Sequence, residues 1–141
     1  MQQPLTGTPL DWLQSIPMRT QGEIEAAISE EISHFEQEFM GRHPTDINVY
    51  LLGDLLLIRL RGVLVAAEQH LVKSLPAEQG QDLLKKVWTR LAETTRPVME
   101  AMVEKVTGVR ILTMHYDIST EIGDEIILFT LDRSPDSLEA K

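Results

Sequence analysis

Polar side chains that share one face of a predicted strand are the best candidates for chemistry in this chain. Thr113, His115 and Asp117 alternate along one strand-like run, and alternate residues of a strand point to the same side. Arg59 and Arg61 share a face in the same way, and guanidinium groups recognise carboxylates and phosphates. These five residues could together line a site for a small ligand. A simpler interpretation, a solvated strand face whose arginines pair with nearby acids, remains open.

The familiar catalytic and metal-binding patterns do not occur in the sequence. The chain has no cysteine, which excludes disulfides and thiolate metal ligands. The histidines are not spaced as metal-binding pairs on a helix; they are His34, His43, His70 and His115. The abundant glutamates are interpreted as solvated helix faces. We therefore expect no catalytic, metal-binding or cofactor-binding residues and no cofactor, and we predict that the protein is not an enzyme.

Length and charge limit the possible partners. The chain has 141 residues, which suits one domain, and 43% of them are hydrophobic, enough to bury a core. Its 22 acidic residues outnumber 13 basic ones, giving a net charge of −9 without any basic run. Nucleic acid and anionic lipid are therefore not expected as direct partners. The start of the chain lacks the features of a secretory signal. The absence of cysteine fits a reducing cytoplasm, and a cytoplasmic location is expected.

The two ends of the chain differ in composition from its middle. Residues 1–19 contain Pro4, Pro9 and Pro17, which disfavour helix, and we predict a flexible N-terminal arm there. Leu10, Trp12, Leu13 and Ile16 give this arm a small apolar patch, so it is either a loose tail or an arm that docks on its own domain or on a partner. Residues 20–132 are predicted to form a single α+β domain, and residues 133–141 a frayed tail.

The domain begins with an amphipathic helix. Thr20 and Glu23 fit a capping box, and Gly41 followed by Pro44 fits a helix end. The Gly41-Arg42-His43-Pro44 segment is therefore interpreted as a helix stop and not as a phosphate loop. Apolar residues at steps of three and four predict the buried stripe, which contains Ile24, Ala27, Ile28, Ile32, Phe35 and Phe39.

The most apolar stretch, residues 47–62, predicts a β-hairpin that turns at Gly53-Asp54. Polar interruptions make this stretch too short to span a membrane. With Leu52 opposite Leu55, one face is uniformly apolar and contains Ile47, Val49, Leu51, Leu56, Ile58 and Leu60. The other face is apolar only in its middle, at Tyr50, Leu52, Leu55 and Leu57. We predict these four residues to be an interaction surface, because contiguous exposed apolar area marks contact sites.

The second half of the domain repeats the helix and hairpin order. A short helix over residues 63–75 is predicted to point Leu64, Ala67, Leu71 and Leu75 inward. A long helix then runs from Pro76 to Thr107, kinked or split at Pro97, with a stripe of Leu83, Val87, Leu91, Val98, Met102 and Val106, widened by Leu84, Trp88, Met99 and Val103.

Two strand-like runs, residues 109–118 and 125–131, complete the predicted domain. In the first run, Leu112 is expected to share a face with Met114, and Ile111 to share the opposite face with Thr113. The expected fold class is α+β, a four-stranded antiparallel sheet built from two hairpins with the helices on one face.

Several of these segments together resemble one bacterial family. Gly41-Arg42-His43-Pro44, the run from Leu60 to Leu64 followed by Ala67-Glu68, and Arg96-Pro97 followed by Thr107-Gly108 occur in its order and spacing. Over residues 22–132 the chain resembles the MpsC family, a domain of unknown biochemical function named for a cation-translocating, membrane-potential-generating system. The chain departs from the family pattern at His43 and Val65, where Gly and Thr are usual.

The resemblance implies a small accessory subunit of a system linked to inorganic carbon uptake. We expect a non-catalytic interaction subunit that forms a homodimer or a larger oligomer and docks on a membrane-associated transport complex without inserting into the membrane. It would then be cytoplasmic, and peripheral to the membrane through a protein partner. The alternative is a regulatory domain that senses a small ligand through the polar strand face described above.

Overall fold

The computed structural model of the chain describes residues 20–120 and 122–135, apart from the side chains of residues 77 and 78. The predicted arm of residues 1–19 and residues 136–141 of the predicted tail lie outside the described residues. Of the tail, residues 133–135 are described, and Pro135 is buried.

Within the described residues, three helices and four strands follow one another in the predicted order. Helix α1 spans Gln21–Phe35 and continues as a π-helical turn, Glu36–Met40. The first hairpin consists of β1, Asp46–Leu52, and β2, Leu55–Arg61. Helices α2, Ala66–Ser74, and α3, Ala77–Thr107, follow. The second hairpin consists of β3, Ile111–Ser119, and β4, Asp124–Leu131.

The four strands form one antiparallel sheet in the order β1-β2-β4-β3. The predicted register of the first hairpin is confirmed, from Asp46 opposite Arg61 to Leu52 opposite Leu55. The second strands of the two hairpins, β2 and β4, lie side by side at the centre. This is the arrangement that a two-fold axis normal to the sheet would produce, so the helix and hairpin order is repeated in space as well as in sequence.

The helices lie on one side of the sheet, as predicted. Helix α1 packs against β1, α3 packs against β3, and α2 packs against α3. The apolar face predicted for the first hairpin lies in the core, where Leu51, Leu56, Ile58 and Leu60 are fully buried and Ile47 and Val49 are partly buried. The opposite face of the sheet is not covered by any described helix. The fold is therefore a two-layer α+β structure, with its core between the sheet and the helices.

The capping box of α1 is confirmed, but the end of its apolar stripe is not. The Thr20 hydroxyl accepts from the Glu23 amide at 3.0 Å, and the Glu23 carboxylate accepts from the Thr20 amide at 2.9 Å. Phe39, predicted to be inward, is 60% exposed, and Met40 packs on the core instead. The reason is the π-helical turn, whose wider winding shifts the inward direction by about one residue. Glu36 is buried within that turn.

The predictions for α2 and α3 need three corrections. Helix α2 contains no buried residue, and Ala67 is exposed. Helix α3 is not split at Pro97, which is exposed and costs the helix a single backbone donor. The four residues predicted to widen the buried stripe are its centre: Leu84, Trp88, Met99 and Val103 are buried, whereas Leu83, Val87 and Val98 of the predicted stripe are exposed. Two adjacent apolar stripes satisfy the same periodicity, so only packing against the sheet selects between them.

A β-bulge overturns one face assignment in β3. Ile111 pairs with Leu131, yet the next paired residue, Thr113, is opposite Thr130. Leu112 is the extra residue and is 55% exposed, while Ile111 packs against the core. A bulge inserts one residue into the alternation and therefore exchanges the two faces on one side of it.

Helix α3 lies close to the backbone of α2 at Gly80. A Cβ built there would lie 3.0 Å from the Val72 Cα and 3.1 Å from the Leu71 carbonyl oxygen. Helix propensity alone favours Gly→Ala by about 1 kcal/mol. Overpacking against backbone costs about 1–3 kcal/mol. We therefore predict that Gly80→Ala lowers the free energy of unfolding, by about 1 kcal/mol, in urea denaturation.

Gly22 provides the matched control, because it also lies in a helix but has open space around its Cβ position. Gly22→Ala is expected to leave stability unchanged or raise it by a few tenths of a kcal/mol, up to about 1 kcal/mol. If Gly80→Ala stabilised the protein as much as Gly22→Ala does, the close helix contact would be disproved.

Candidate functional site

The side of the sheet that no described helix covers is called the open face here. Its residues follow the alternation of the four strands. They are Asp46, Asn48, Tyr50 and Leu52 of β1, Leu55, Leu57, Arg59 and Arg61 of β2, Asp124, Ile126, Leu128 and Thr130 of β4, and Thr113, His115, Asp117 and Ser119 of β3.

The predicted interaction surface lies together at one end of the open face. Tyr50 is opposite Leu57, and Leu52 is opposite Leu55. Leu128 of β4 extends the patch beyond Leu57. Tyr50 is 45% exposed, Leu52 57% and Leu55 36%, while Leu57 is half-buried among its neighbours. The four predicted residues thus form one continuous apolar surface that borders the outer edge of β1.

The residues suggested as ligand contacts divide into two groups. The Thr113 hydroxyl hydrogen-bonds with His115 Nε2 at 3.2 Å and with the Thr130 hydroxyl. Asp117, on the same strand, forms an exposed ion pair of 3.0 Å with Lys85.

The two arginines lie on the other side of β4. Arg59 donates from Nη2 to Asp124 Oδ2 at 2.7 Å, and Arg61 is opposite Asp46 in the hairpin register. β4 separates β2 from β3 by roughly 10 Å, and Arg59 is opposite Ile126 of β4 whereas Thr113 is opposite Thr130, further along that strand. The structure therefore brings Thr113 and His115 together with Thr130 but leaves Asp117, Arg59 and Arg61 outside this group.

A second group of polar residues lies inside the fold, between the helices and the sheet, and is called the buried polar cluster. Its residues come from the π-helical turn and the loop after it, from α2 and α3, and from β3 and β4. Its members are Glu36, Arg42, Glu68, Trp88, Tyr116 and Glu125.

Arg42 holds the buried polar cluster together. Its side chain is only 8% exposed, and its two Nη atoms donate to the two carboxylate oxygens of Glu68 at 2.6 and 2.7 Å. Nη1 also donates to the Val63 carbonyl at 3.1 Å, and the guanidinium lies 3.8 Å from the centre of the Trp88 ring. The Trp88 indole donates in turn to Glu68 at 2.9 Å. One side chain thus connects the end of α1 to the end of β2, to α2 and to α3.

Glu68 is kept ionised by these contacts. Burial alone would raise the pKa of Glu68, but hydrogen bonds from Arg42, the Val65 amide and Trp88 outweigh burial and lower it. Arg42 and Glu68 therefore form a charged pair with two parallel hydrogen bonds, the strongest geometry for such a pair.

Glu36 and Glu125 have no such partners. They are 2% and 4% exposed, and Oε1 of each has no hydrogen-bond partner among the described residues. Burial raises the pKa of Glu36 to about 7, although the charge of Arg42 opposes the shift. Burial, together with the charge of Glu36, raises the pKa of Glu125 to about 8. Both side chains therefore hold protons far more strongly than an exposed glutamate does.

Tyr116 completes the buried polar cluster from β3. Its hydroxyl is buried near Glu125 but lies outside hydrogen-bonding geometry with it or with any other described side chain. Burial and the negative charges of Glu125 and Glu36 raise the pKa of Tyr116, so it stays protonated and can serve as a donor.

The sequence interpretation missed this cluster, because all glutamates were treated as solvated. Two local signals could have revealed it. Glu36 follows Ile28 and Ile32 at steps of four, and Glu125 alternates with Ile127 and Phe129 on β4. Both acids therefore occupy positions that the periodicity assigns to the core.

Two further properties concern only the part of the chain that the structure describes. No three His, Asp or Glu side chains there are grouped so that they could hold a metal ion. No helix there is long and apolar enough to cross a membrane.

Replacement of Arg42 by lysine tests the contribution of the buried pair. Lysine keeps the charge but loses the parallel hydrogen bonds and the flat contact with Trp88. We predict that Arg42→Lys lowers the free energy of unfolding by about 2–4 kcal/mol, measured by urea denaturation. Arg59→Lys is the matched control, since Arg59 pairs with Asp124 at a 38% exposed position. Its loss should be below about 1 kcal/mol, and equal losses would contradict the importance of the buried pair.

Comparison with known proteins supports the resemblance seen in the sequence. The family model described as "Na+-translocating membrane potential-generating system (MpsC)" matches residues 20–133. The uncharacterized protein YbcI of Bacillus subtilis (strain 168) is 26% identical over 113 residues, which cover 80% of this chain and 89% of YbcI. No solved structure matches the chain. Because the family model spans nearly the whole described domain, the chain belongs to the MpsC family.

Proposed function

We propose that the protein is a non-catalytic accessory subunit that pairs with a second copy of itself through the open face and serves a membrane-associated cation transport system. The family description supports the link to transport. The observation that carries the interaction role is the apolar patch of Tyr50, Leu52, Leu55 and Leu57 on a sheet face without a described covering layer.

The composition of the open face supports a second copy as the occupant. The chain carries a net charge of −9, so two copies repel each other over most of their surfaces. The open face carries two arginines and three aspartates, so its net charge is only −1. Arg59 and Asp124 already neutralise each other within one molecule. Contact through this face therefore brings two acidic chains together where repulsion is weakest.

The size of the face sets the expected strength of pairing. Four strands about 4.8 Å apart and about 24 Å long have a footprint of roughly 450 Å². A standard interface buries about 800 Å² per partner. The pairing is therefore expected to be weak, with a dissociation constant of roughly micromolar order, and further contact with a transport subunit would strengthen the assembly.

Sedimentation tests the pairing directly. We predict that the wild-type chain shows a monomer–dimer equilibrium at micromolar concentrations. Leu57→Glu should raise the dissociation constant of the dimer at least tenfold. The reason is that Leu57 lies at the centre of the patch, where a carboxylate would be desolvated on contact.

Leu83→Glu is the matched control, because Leu83 is 47% exposed on the outer side of α3. It should leave the equilibrium unchanged. A wild-type chain that stays monomeric at high concentration would exclude the second copy as the occupant. If deletion of residues 1–19 then produced dimers, the arm itself would be the occupant.

The link to transport needs a separate measurement. Purification from detergent-solubilised native membranes should retain an identified membrane-embedded transport subunit with the wild-type chain and not with Leu57→Glu. Retention of the same subunit by both proteins would show that the transport partner binds elsewhere. Recovery of the chain alone would argue against the transport role.

A ligand-sensing role is the second candidate, and the Thr113, His115 and Thr130 group favours it. These side chains place two hydroxyls and an imidazole side by side on β3 and β4. Thermal unfolding with bicarbonate and with nucleotides would detect a ligand as a rise in the unfolding temperature. His115→Ala should abolish any such rise, and the absence of a rise with every compound would count against this role.

A further inference from the structure

The buried polar cluster contains three carboxyl groups and one guanidinium. Arg42 is the one buried cation among the described residues, and both of its Nη atoms are bonded to Glu68. Glu36 and Glu125 thus lie in the interior without a cation of their own. We propose that these two side chains form a proton-binding site that acts as a pH-sensitive switch, in which proton release displaces the π-helical turn from the sheet.

Charge counting explains why a proton is needed. The Arg42–Glu68 pair is neutral as a unit, so ionised Glu36 and Glu125 would place two uncompensated negative charges in the interior. Burial of an unpaired charge is so unfavourable that the group binds a proton instead. Two carboxylates that share a site cannot both ionise freely, and one of them keeps its proton to higher pH.

The groups around the two carboxyls can stabilise one negative charge but not two. The π-helical turn contributes Glu36 and β4 contributes Glu125. The loop after the turn contributes Arg42, whose Nε is still an unpaired buried donor, and β3 contributes the Tyr116 hydroxyl. Glu68 of α2 faces the far side of Arg42 and adds a negative charge there, while Trp88 of α3 is uncharged. Two unpaired donors therefore face two carboxyls, and a single shared proton satisfies this arrangement.

The pKa values of Glu36 and Glu125 agree with proton release near neutral pH. Burial raises both pKa values from the 4.5 of an exposed glutamate, to about 7 for Glu36 and about 8 for Glu125. Between pH about 4.5 and pH about 8, the folded protein consequently binds more protons than the unfolded chain does. The resulting stabilisation is full below pH about 4.5 and is lost as the pH rises through about 7 to 8.

The π-helical turn is the element that can respond. Glu125 lies in β4, which is hydrogen-bonded to a strand on each side and cannot move alone. Glu36 lies in a short π-helical segment at the end of a helix, next to the exposed residues 37–39 and to Gly41 with φ 65°. Short π-helical segments occur frequently at functional sites. Ionised Glu36 can therefore reach solvent by a local change of the turn.

NMR titration of the full chain tests the switch. Carboxyl carbon signals of Glu36 and Glu125 are assigned from Glu36→Gln and Glu125→Gln, and backbone amides are followed in the same samples. We expect both carboxyls to titrate at least one pH unit above exposed glutamates. The backbone amide signals of Gln37, Gly41 and Arg42 should shift with the same midpoint pH as the Glu36 carboxyl. Glu125→Gln should lower the Glu36 midpoint, because the repulsion between the two acids is removed.

Glu38→Gln is the matched control, since Glu38 lies in the same π-helical turn but is exposed. It should leave the midpoints of Glu36 and Glu125 unchanged. Titration of both buried carboxyls like exposed glutamates, or turn amides that do not follow them, would overturn the proposal.

Thermal unfolding keeps the test decisive if a glutamine variant does not fold. The unfolding temperature of the wild-type chain should fall as the pH rises from about 6 to about 9, through the pKa values of the two acids. The exposed-site variant Glu38→Gln should show the same fall. An unfolding temperature that does not change over this range would also overturn the proposal.

Discussion

The buried ion pair between Arg42 and Glu68 is the interaction on which the arrangement of the helices depends. Arg42 follows the π-helical turn at the end of α1. Its guanidinium lies 3.8 Å from the centre of the Trp88 ring and donates hydrogen bonds to both carboxylate oxygens of Glu68. A charge placed in the interior is tolerated only when an opposite charge and hydrogen bonds compensate it. The positions of α2 and α3 relative to the end of α1 are therefore coupled, although α2 itself buries no apolar residue.

The need to compensate buried charge also makes the two sides of the sheet differ. On the helix side, the Arg42–Glu68 ion pair and two buried acids with raised pKa values complete a core that is otherwise apolar, with Ile58 and Phe129 fully buried. On the open face, charges are paired at the surface and apolar residues remain accessible around Tyr50. β4 connects the two sides, because its alternation places Glu125 in the buried polar cluster and its neighbours Asp124 and Ile126 on the open face.

Much of the fold could be predicted because its signals are local. The alternation around Gly53 allowed only one hairpin register with a uniformly apolar face, and that register is observed. The Thr20 cap and the Gly41 helix end depend on a few neighbouring residues and are also observed. Two of the errors, at Leu112 and Phe39, occurred where a bulge and a π-helical turn each add one residue to a regular pattern.

By itself, the sequence determined the element order, the sheet built from two hairpins, and the location of the apolar patch at Tyr50, Leu52, Leu55 and Leu57. These features follow from side-chain periodicity and turn chemistry, which act over a few residues. Only the tertiary structure decided that Glu36 and Glu125 are buried, that Arg42 pairs with Glu68, and that Arg59 is separated from Thr113. Burial and pairing of polar groups depend on contacts between distant segments, so periodicity cannot determine whether an acid on a core stripe meets water, a cation or another acid.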